Sequence, residues 1–288
     1  MFDISGYTEA GTVAEAIRIA SADDNAIFMA GGTDILVKCR ARSHGYVDRE
    51  IVGISQIPEL QGIRTEENGS IFIGAAVTFT QLESDPVIIR HLSSLAAAAA
   101  SVGGPQIRNM GTIGGNICNG VTSADTAPSL LTLNAMLIIE GKTGRREARI
   151  ADFYTGPGSV KLDHGELLIG IRIVKEDYEG YTGHYMKFAQ RKAMDISTLG
   201  CAVWVKMDLN TIEDLRIAFG VAGPVPLRAV EAEKFAVGKE PAPDILREIG
   251  VKCLESSRAR NSWRASKEFR EHLVKELPVR ALRVALGI

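Results

Sequence analysis

The chain has 288 residues, 45% of them hydrophobic and 24% charged, with a formal net charge of −2. That length supports two or three lobes with cores of their own, and the charge excludes a protein that works by neutralising nucleic-acid phosphates. No apolar run approaches the roughly 20 residues that cross a bilayer. The opening Met1-Phe2-Asp3-Ile4 lacks the basic-then-apolar pattern of a signal peptide, so no membrane association and a cytoplasmic location are expected.

The first predicted element is a helix. Thr12 followed three places on by Glu15 makes a capping box, and Val13, Ala16, Ile17 and Ala20 give one apolar face. Ala26 to Ala30 then reads as a short buried strand. It runs into Gly31-Gly32-Thr33-Asp34, after which Ile35-Leu36-Val37-Lys38 starts another helix. In a strand, glycine turn and helix start, unpaired backbone N–H groups point at an anion, and a pyrophosphate suits them. Ile51 to Ile54 is a further strand, followed by a linker through Pro58, and Ile71 to Ala75 opens a second lobe.

Asp85 and Pro86 are cap and first position of a helix whose apolar residues Ile88, Leu92, Leu95, Ala96 and Ala99 recur at helical spacing. The alanines from Ala96 to Ala100 predict close packing against a neighbour. This helix delivers the chain into Gly103-Gly104-Pro105 and the loop Gln106 to Cys118, which holds Gly111, Thr112, Gly114, Gly115 and Asn116. Glycines clustered this way mark left-handed backbone or close approach. Thr112 and Asn116 can both donate and accept hydrogen bonds.

Pro128 is expected to start a helix, and Met136 to Ile139 is a strand. Gly141-Lys142-Thr143 lacks the upstream glycine of a phosphate-binding P-loop, because Met136 stands there, and reads as a hairpin turn. Leu167 to about Val174 is a strand. Gln190 to Asp195 forms a charged loop. Gly200–Met207 and Leu215–Gly220 are antiparallel strands joined by a turn at 208–211. The remainder is helical, with Pro278 expected to break or kink the last helix. The cysteines Cys39, Cys118, Cys201 and Cys253 form no C-x-x-C pair and the histidines are scattered, so no metal site is expected.

Two glycine loops and no G-x-G-x-x-G disfavour a dinucleotide-binding Rossmann fold and leave a nucleotide or flavin held between two α/β lobes. The stretches Ala30 to Val37 (A-G-G-T-D-I-L-V) and Thr112 to Ile117 (T-I-G-G-N-I), with Ser123-Ala124-Asp125 after them, resemble the signatures of the flavin-binding subunits of molybdenum hydroxylases. That family includes carbon monoxide dehydrogenase, nicotinate dehydrogenase, 4-hydroxybenzoyl-CoA reductase and xanthine dehydrogenase. The resemblance runs end to end. It is nearest to the separate flavin subunit of bacterial xanthine dehydrogenase at Gly104–Gly120, Ala193–Thr198 and Ser262–Arg270.

The resemblance implies an α+β protein with a vanillyl-alcohol-oxidase (PCMH)-type FAD-binding fold. Its lobes would be 1–57 and 58–176, followed by a C-terminal domain, 177–288, of a three-stranded sheet and helices. FAD would be bound non-covalently. On one side would lie Met29, Ala30, Gly31, Gly32, Thr33, Asp34, Ile35 and Leu36, and on the other Val102, Gly111, Thr112, Ile113, Gly114, Gly115, Asn116 and Cys118. Asp125 would hold a ribose hydroxyl or fix its own loop, Leu168 would pack on the adenine, and Lys187 would sit near the flavin's pyrimidine edge. No side chain would act as a general acid or base. The implied partners are a molybdopterin-binding large subunit and a [2Fe–2S] small subunit, with a purine such as xanthine as substrate and NAD as acceptor. A nicotinate-type substrate and a flavin-free scaffold are the alternatives. The cysteine-rich insertion of the 4-hydroxybenzoyl-CoA reductase branch has no counterpart here.

Overall fold

The computed structural model describes residues 2–288. Three sheets, each with its helices, follow one another along the chain. The first is parallel, in the order β1-β3-β2, built from β1 (Ile4–Glu9), β2 (Ala26–Met29) and β3 (Arg49–Gly53). Helix α1 (Val13–Ala22) joins β1 to β2, and α2 (Ile35–Arg40) follows the first glycine loop. Strand β1 precedes the expected opening helix. Its burial pattern leaves most of its residues exposed, so it lacks the apolar run that would have identified it. Thr12 caps α1 as read, its Oγ1 accepting from Glu15 N at 3.2 Å, but the Glu15 carboxylate takes Gly11 N at 2.9 Å in place of the Thr12 N–H that a full capping box uses.

The middle sheet runs β4-β5-β10-β6-β7, from β4 (Ile63–Thr65), β5 (Ile71–Gly74), β6 (Met136–Gly141), β7 (Gly144–Arg149) and β10 (Leu167–Ile173). Its faces serve different cores. Ile71, Ile73, Leu137, Ile139 and Leu168 enter the core under the helices of this lobe, while Phe72, Ile138, Leu167 and Ile169 pack with α1 and the first sheet. Strand alternation alone would then send Ile171 to the first-lobe side. A register shift between Leu168 and Gly170 inserts one residue and returns Ile171 and Ile173 to the helix side. Gly170 leaves room for Phe72, whose ring would lie 2.4 Å from a Cβ there. The first two lobes thus share one hydrophobic layer and are held together by it.

Helices α3 (Phe79–Ser84), α4 (Pro86–His91), α5 (Ser93–Ala100), α6 (Pro105–Met110), α7 (Ile113–Cys118) and α8 (Thr126–Thr132) cover the other face. Asp85 caps α4 as expected, accepting from Val87 N and Ile88 N. The single helix expected from Pro86 onward is divided at Leu92 (φ −131°, ψ 48°), which buries Leu92 completely and turns α5 onto the third sheet. Helix α8 begins two residues before Pro128. The hairpin turn expected at Gly141-Lys142-Thr143 connects β6 to β7, and a small hairpin of β8 (Tyr154–Gly156) and β9 (Ser159–Val160) follows.

The third sheet is antiparallel, β11 (Tyr181–Phe188), β12 (Leu199–Asp208), β13 (Thr211–Gly220) and β14 (Leu227–Arg228). It has four strands, where three were expected. The fourth is only two residues long, too short to carry a periodicity. Along β12, Leu199, Cys201, Val203 and Val205 face α9 (Val230–Ala236), α10 (Pro243–Lys252) and α11 (Lys267–Leu286), whereas Ala202 meets Ala98 of α5. The alanine run is thus the surface that lets α5 lie close to the sheet. Trp204 enters the middle-lobe core against Gly183, directly opposite it, where a Cβ would be 1.8 Å from the ring. Helix α11 continues through Pro278. The missing hydrogen bond costs about 3 kcal/mol, and burial of Leu273, Val274, Leu277 and Leu282, at about 1.5–3 kcal/mol each, outweighs it.

Candidate functional site

A cavity of about 290 Å³ lies between the first and middle lobes, walled by the loop after β2, by α7 and its flanks, and by the start of β10. The glycine loops meet at its edge. A Cβ on Gly31 would sit 1.6 Å from the Met110 carbonyl oxygen, and one on Gly114 would sit 2.6 Å from Ala75 O. At both positions the missing side chain admits another stretch of protein backbone. Gly32 is the one glycine of either signature in the left-handed region (φ +69°).

The first loop presents donors. Among the described residues, the backbone N–H groups of Gly31, Gly32, Thr33, Asp34 and Ile35 have no hydrogen-bond acceptor in the protein. Consecutive unpaired amides at a turn leading into a helix are an anion cradle. Amides of the second loop are largely committed. Ile113 N goes to Val77 O, Gly114 N to Ala75 O, and Gly115 N to Thr112 Oγ1 at 3.1 Å. Thr112 caps α7, and its hydroxyl keeps only its own proton to give. Asn116 Oδ1 accepts from Thr126 Oγ1 at 2.6 Å, which leaves its Nδ2 donors uncommitted.

Of the residues expected at the site, Ala30, Gly31, Gly32, Thr33, Asp34, Ile35, Val102, Gly111, Thr112, Gly114, Gly115, Asn116, Cys118 and Leu168 line the cavity. Met29, Leu36, Ile113, Asp125 and Lys187 do not. Met29 and Leu36 pack against Gly32, with Sδ and Cδ1 each 3.1 Å from where its Cβ would be. Ile113 is fully buried in the middle core. Asp125 and Lys187 form an ion pair at 2.8 Å. Asp125 also accepts from Tyr185 Oη at 2.7 Å and from Ser197 Oγ, and Lys187 donates to Ser101 O at 3.0 Å. Asp125 makes no side-chain cap to α8. This cluster ties the lead-in of α8, the residue after α5, strand β11 and the segment leading into β12 together, next to Val102.

Cys118 shows no sign of thiolate chemistry, because burial pushes its thiol up to about 12. Glu166 takes a two-pronged contact from Arg146, both bonds 2.7 Å, and the guanidinium holds its carboxyl below the usual range.

Sequence reasoning missed Phe28, Tyr46, Ile54, Phe79, Asn119, Leu162, Glu166 and Leu167, which also line the cavity. Phe28 and Ile54 sit at strand ends next to the first loop, and strand adjacency was the available signal for them. Tyr46, Asn119, Leu162 and Glu166 come from turns and loops whose placement depends on the packed lobes. An elongated, doubly charged ligand with flat apolar ends finds matching groups here: unpaired amides, a free carboxamide, and walls of Phe28, Ile54, Phe79 and Leu168. Among the described residues no helix is long and apolar enough to cross a membrane.

Residues 2–174 match the family described as the FAD-binding domain in molybdopterin dehydrogenase, and residues 184–285 match the CO dehydrogenase flavoprotein C-terminal domain. The chain is 44% identical to a putative xanthine dehydrogenase FAD-binding subunit of Escherichia coli strain K12, covering 100% of this chain and 98% of that protein. It is 36% identical to the nicotinate dehydrogenase FAD-subunit of Eubacterium barkeri, covering 73% and 71% of the two chains. Among solved structures, a chain of the carbon monoxide dehydrogenase from Hydrogenophaga pseudoflava superposes with a TM-score of 0.93 at 27% identity, covering 100% of this chain and 99% of that one.

Proposed function

The chain belongs to the FAD-binding subunits of the molybdopterin dehydrogenases, and on that premise we propose that it is the electron-relay subunit of a xanthine dehydrogenase-like hydroxylase. FAD is its cofactor. In this reading a purine such as xanthine is oxidised on a molybdopterin-binding large subunit, and a [2Fe–2S] small subunit carries the electrons here. FAD supplies the junction between one-electron arrival and departure of an electron pair as hydride to NAD.

The protein's own part is to bind and orient. The amides of Gly31 to Ile35 hold the pyrophosphate, and the Thr33 hydroxyl and Asn116 Nδ2 take further oxygens of the cofactor. Leu168 covers the adenine. Val102, Gly111, Thr112 and Cys118 form the facing wall. Lys187 and Asp125 act from behind that wall, holding Ser101 and the lead-in to α8 in place. The proposed chemistry needs no general acid or base from this chain.

The observation that carries the reading is the run of unpaired amides on the cavity wall. It is tested by absorption spectroscopy of the full chain after FAD is added and the excess removed by gel filtration, and by the same spectrum of the native assembly. Retained flavin bands, bleached by xanthine in the assembly and restored by NAD, are expected. Absence of flavin from both preparations refutes the reading. Bleaching by nicotinate and not by xanthine selects the second reading, a heteroaromatic dehydrogenase, which the 36% identity to the nicotinate enzyme's subunit favours.

A further inference from the structure

We propose that Lys38 is a positioning residue for the adenosine-diphosphate half of the cofactor. Its ammonium latches the first lobe to the middle lobe and thereby presets three polar groups on the cavity wall. This rests on the reading that the cavity holds FAD. Lys38 does not itself line the cavity. Its Nζ lies 2.5 Å from Asp34 Oδ2, 2.7 Å from Asn119 Oδ1 and 3.3 Å from Tyr46 Oη, and all three of those residues do line it.

An ammonium has three N–H donors, and these three acceptors use them all. None remains for a ligand, so Lys38 works through its neighbours. Asp34 lies four residues before Lys38, one turn along the same helix start, and a half-exposed pair of that kind contributes only about 0.2–0.5 kcal/mol. The bond to Asn119 is different, because it crosses from α2 to the residue after α7 and spans the cleft.

The latch also decides what the wall offers. With Oδ2 given to Lys38, Asp34 keeps its other oxygen as an acceptor suited to a ribose hydroxyl. With Oδ1 engaged, Asn119 is fixed with Nδ2 as donor. With its oxygen accepting, Tyr46 keeps a hydroxyl proton to give. Asp34 belongs to the run of unpaired amides, so these groups flank the pyrophosphate and adenosine. In this proposal they act on that half of the cofactor and leave the electron-accepting ring untouched.

The test compares the full chain with its Lys38→Met, Lys38→Arg and Asn119→Ala variants and the double variant that combines Lys38→Met with Asn119→Ala. FAD release is followed by recovery of free-flavin fluorescence, together with the reduction potential of the bound flavin and the thermal midpoint of the apoprotein. Lys38→Met is expected to release FAD about 10–100-fold faster, the effect of losing a charge-assisted hydrogen bond, with the flavin potential unchanged. Lys38→Arg should restore most of the retention. Asn119→Ala should cost less in the Met background than alone, because half of what it removes is already gone. Release of FAD from Lys38→Met at the wild-type rate overturns the latch, as do additive effects of the two substitutions. So does a loss explained entirely by a lower apoprotein midpoint. A wild-type chain that holds no FAD, alone or in its assembly, overturns both the latch and the function it rests on.

Discussion

Gly31→Ala should separate the two lobes where the first loop meets Met110. The new methyl would lie 1.6 Å from Met110 O and 2.5 Å from Met110 C, both backbone atoms. Ordinary contact begins near 3.4 Å, so the Met110 carbonyl must retreat by about 1.8 Å, the difference between those two distances. It cannot retreat freely. Gly111, the next residue, donates to Ile107 O at 2.7 Å and accepts from Phe79 N at 3.1 Å, which fixes this end of α6 to α3. Relief must therefore come from displacing the first loop, which carries the unpaired amides of Gly31 to Ile35, from the facing wall, so contacts to FAD are lost with it. Overpacking of this kind costs about 1–3 kcal/mol, which corresponds to roughly 5–150-fold weaker FAD binding. Flavin-fluorescence titration of the full chain measures it, with Gly156→Ala as control because a Cβ there meets nothing within 4 Å. Equal FAD affinity in the two variants would refute the argument that Gly31 exists to admit Met110.

Two further substitutions probe the charged groups around the cavity. Lys187→Met leaves the Asp125 carboxylate buried with only Tyr185 and Ser197 as partners, and should lower the unfolding free energy by about 3–5 kcal/mol in denaturant titration. An effect below about 1 kcal/mol would mean that the pair is solvated in solution. Glu166 is held below its unfolded value of 4.5 by Arg146. Its contribution is therefore fully present above pH 4.5 and is lost as the pH falls below that through the folded value. The midpoint of wild type should drop more between about pH 5 and pH 3 than that of Glu166→Gln, and parallel curves would exclude this pair as an acid-sensitive element.

Local signals determined the parts of this protein that depend on neighbouring residues. The Thr12–Glu15 and Asp85–Pro86 helix starts, the 141–143 turn, both glycine loops and the alternating strands β12 and β13 are all signalled by residues within a few positions of one another. The two signatures identified the family, and most of the residues read from them do meet at one cavity. Tertiary structure decided the rest. The break at Leu92 is favoured by burying that side chain in the middle-lobe core while α5 turns onto the third sheet, and helix α11 passes through Pro278 because its apolar face is already buried. What the glycines are for was also undecided, since a Gly at 31 permits approach by a ligand or by protein, and only the packed lobes bring Met110 there. Lys187 and Asp125 are a lysine near a strand end and an acid before a helix until β11 and the lead-in to α8 come together, when they satisfy each other. The latch from Lys38 to Asn119 lies furthest from view. Its partners are 81 positions apart, and no periodicity or cap couples residues at that distance.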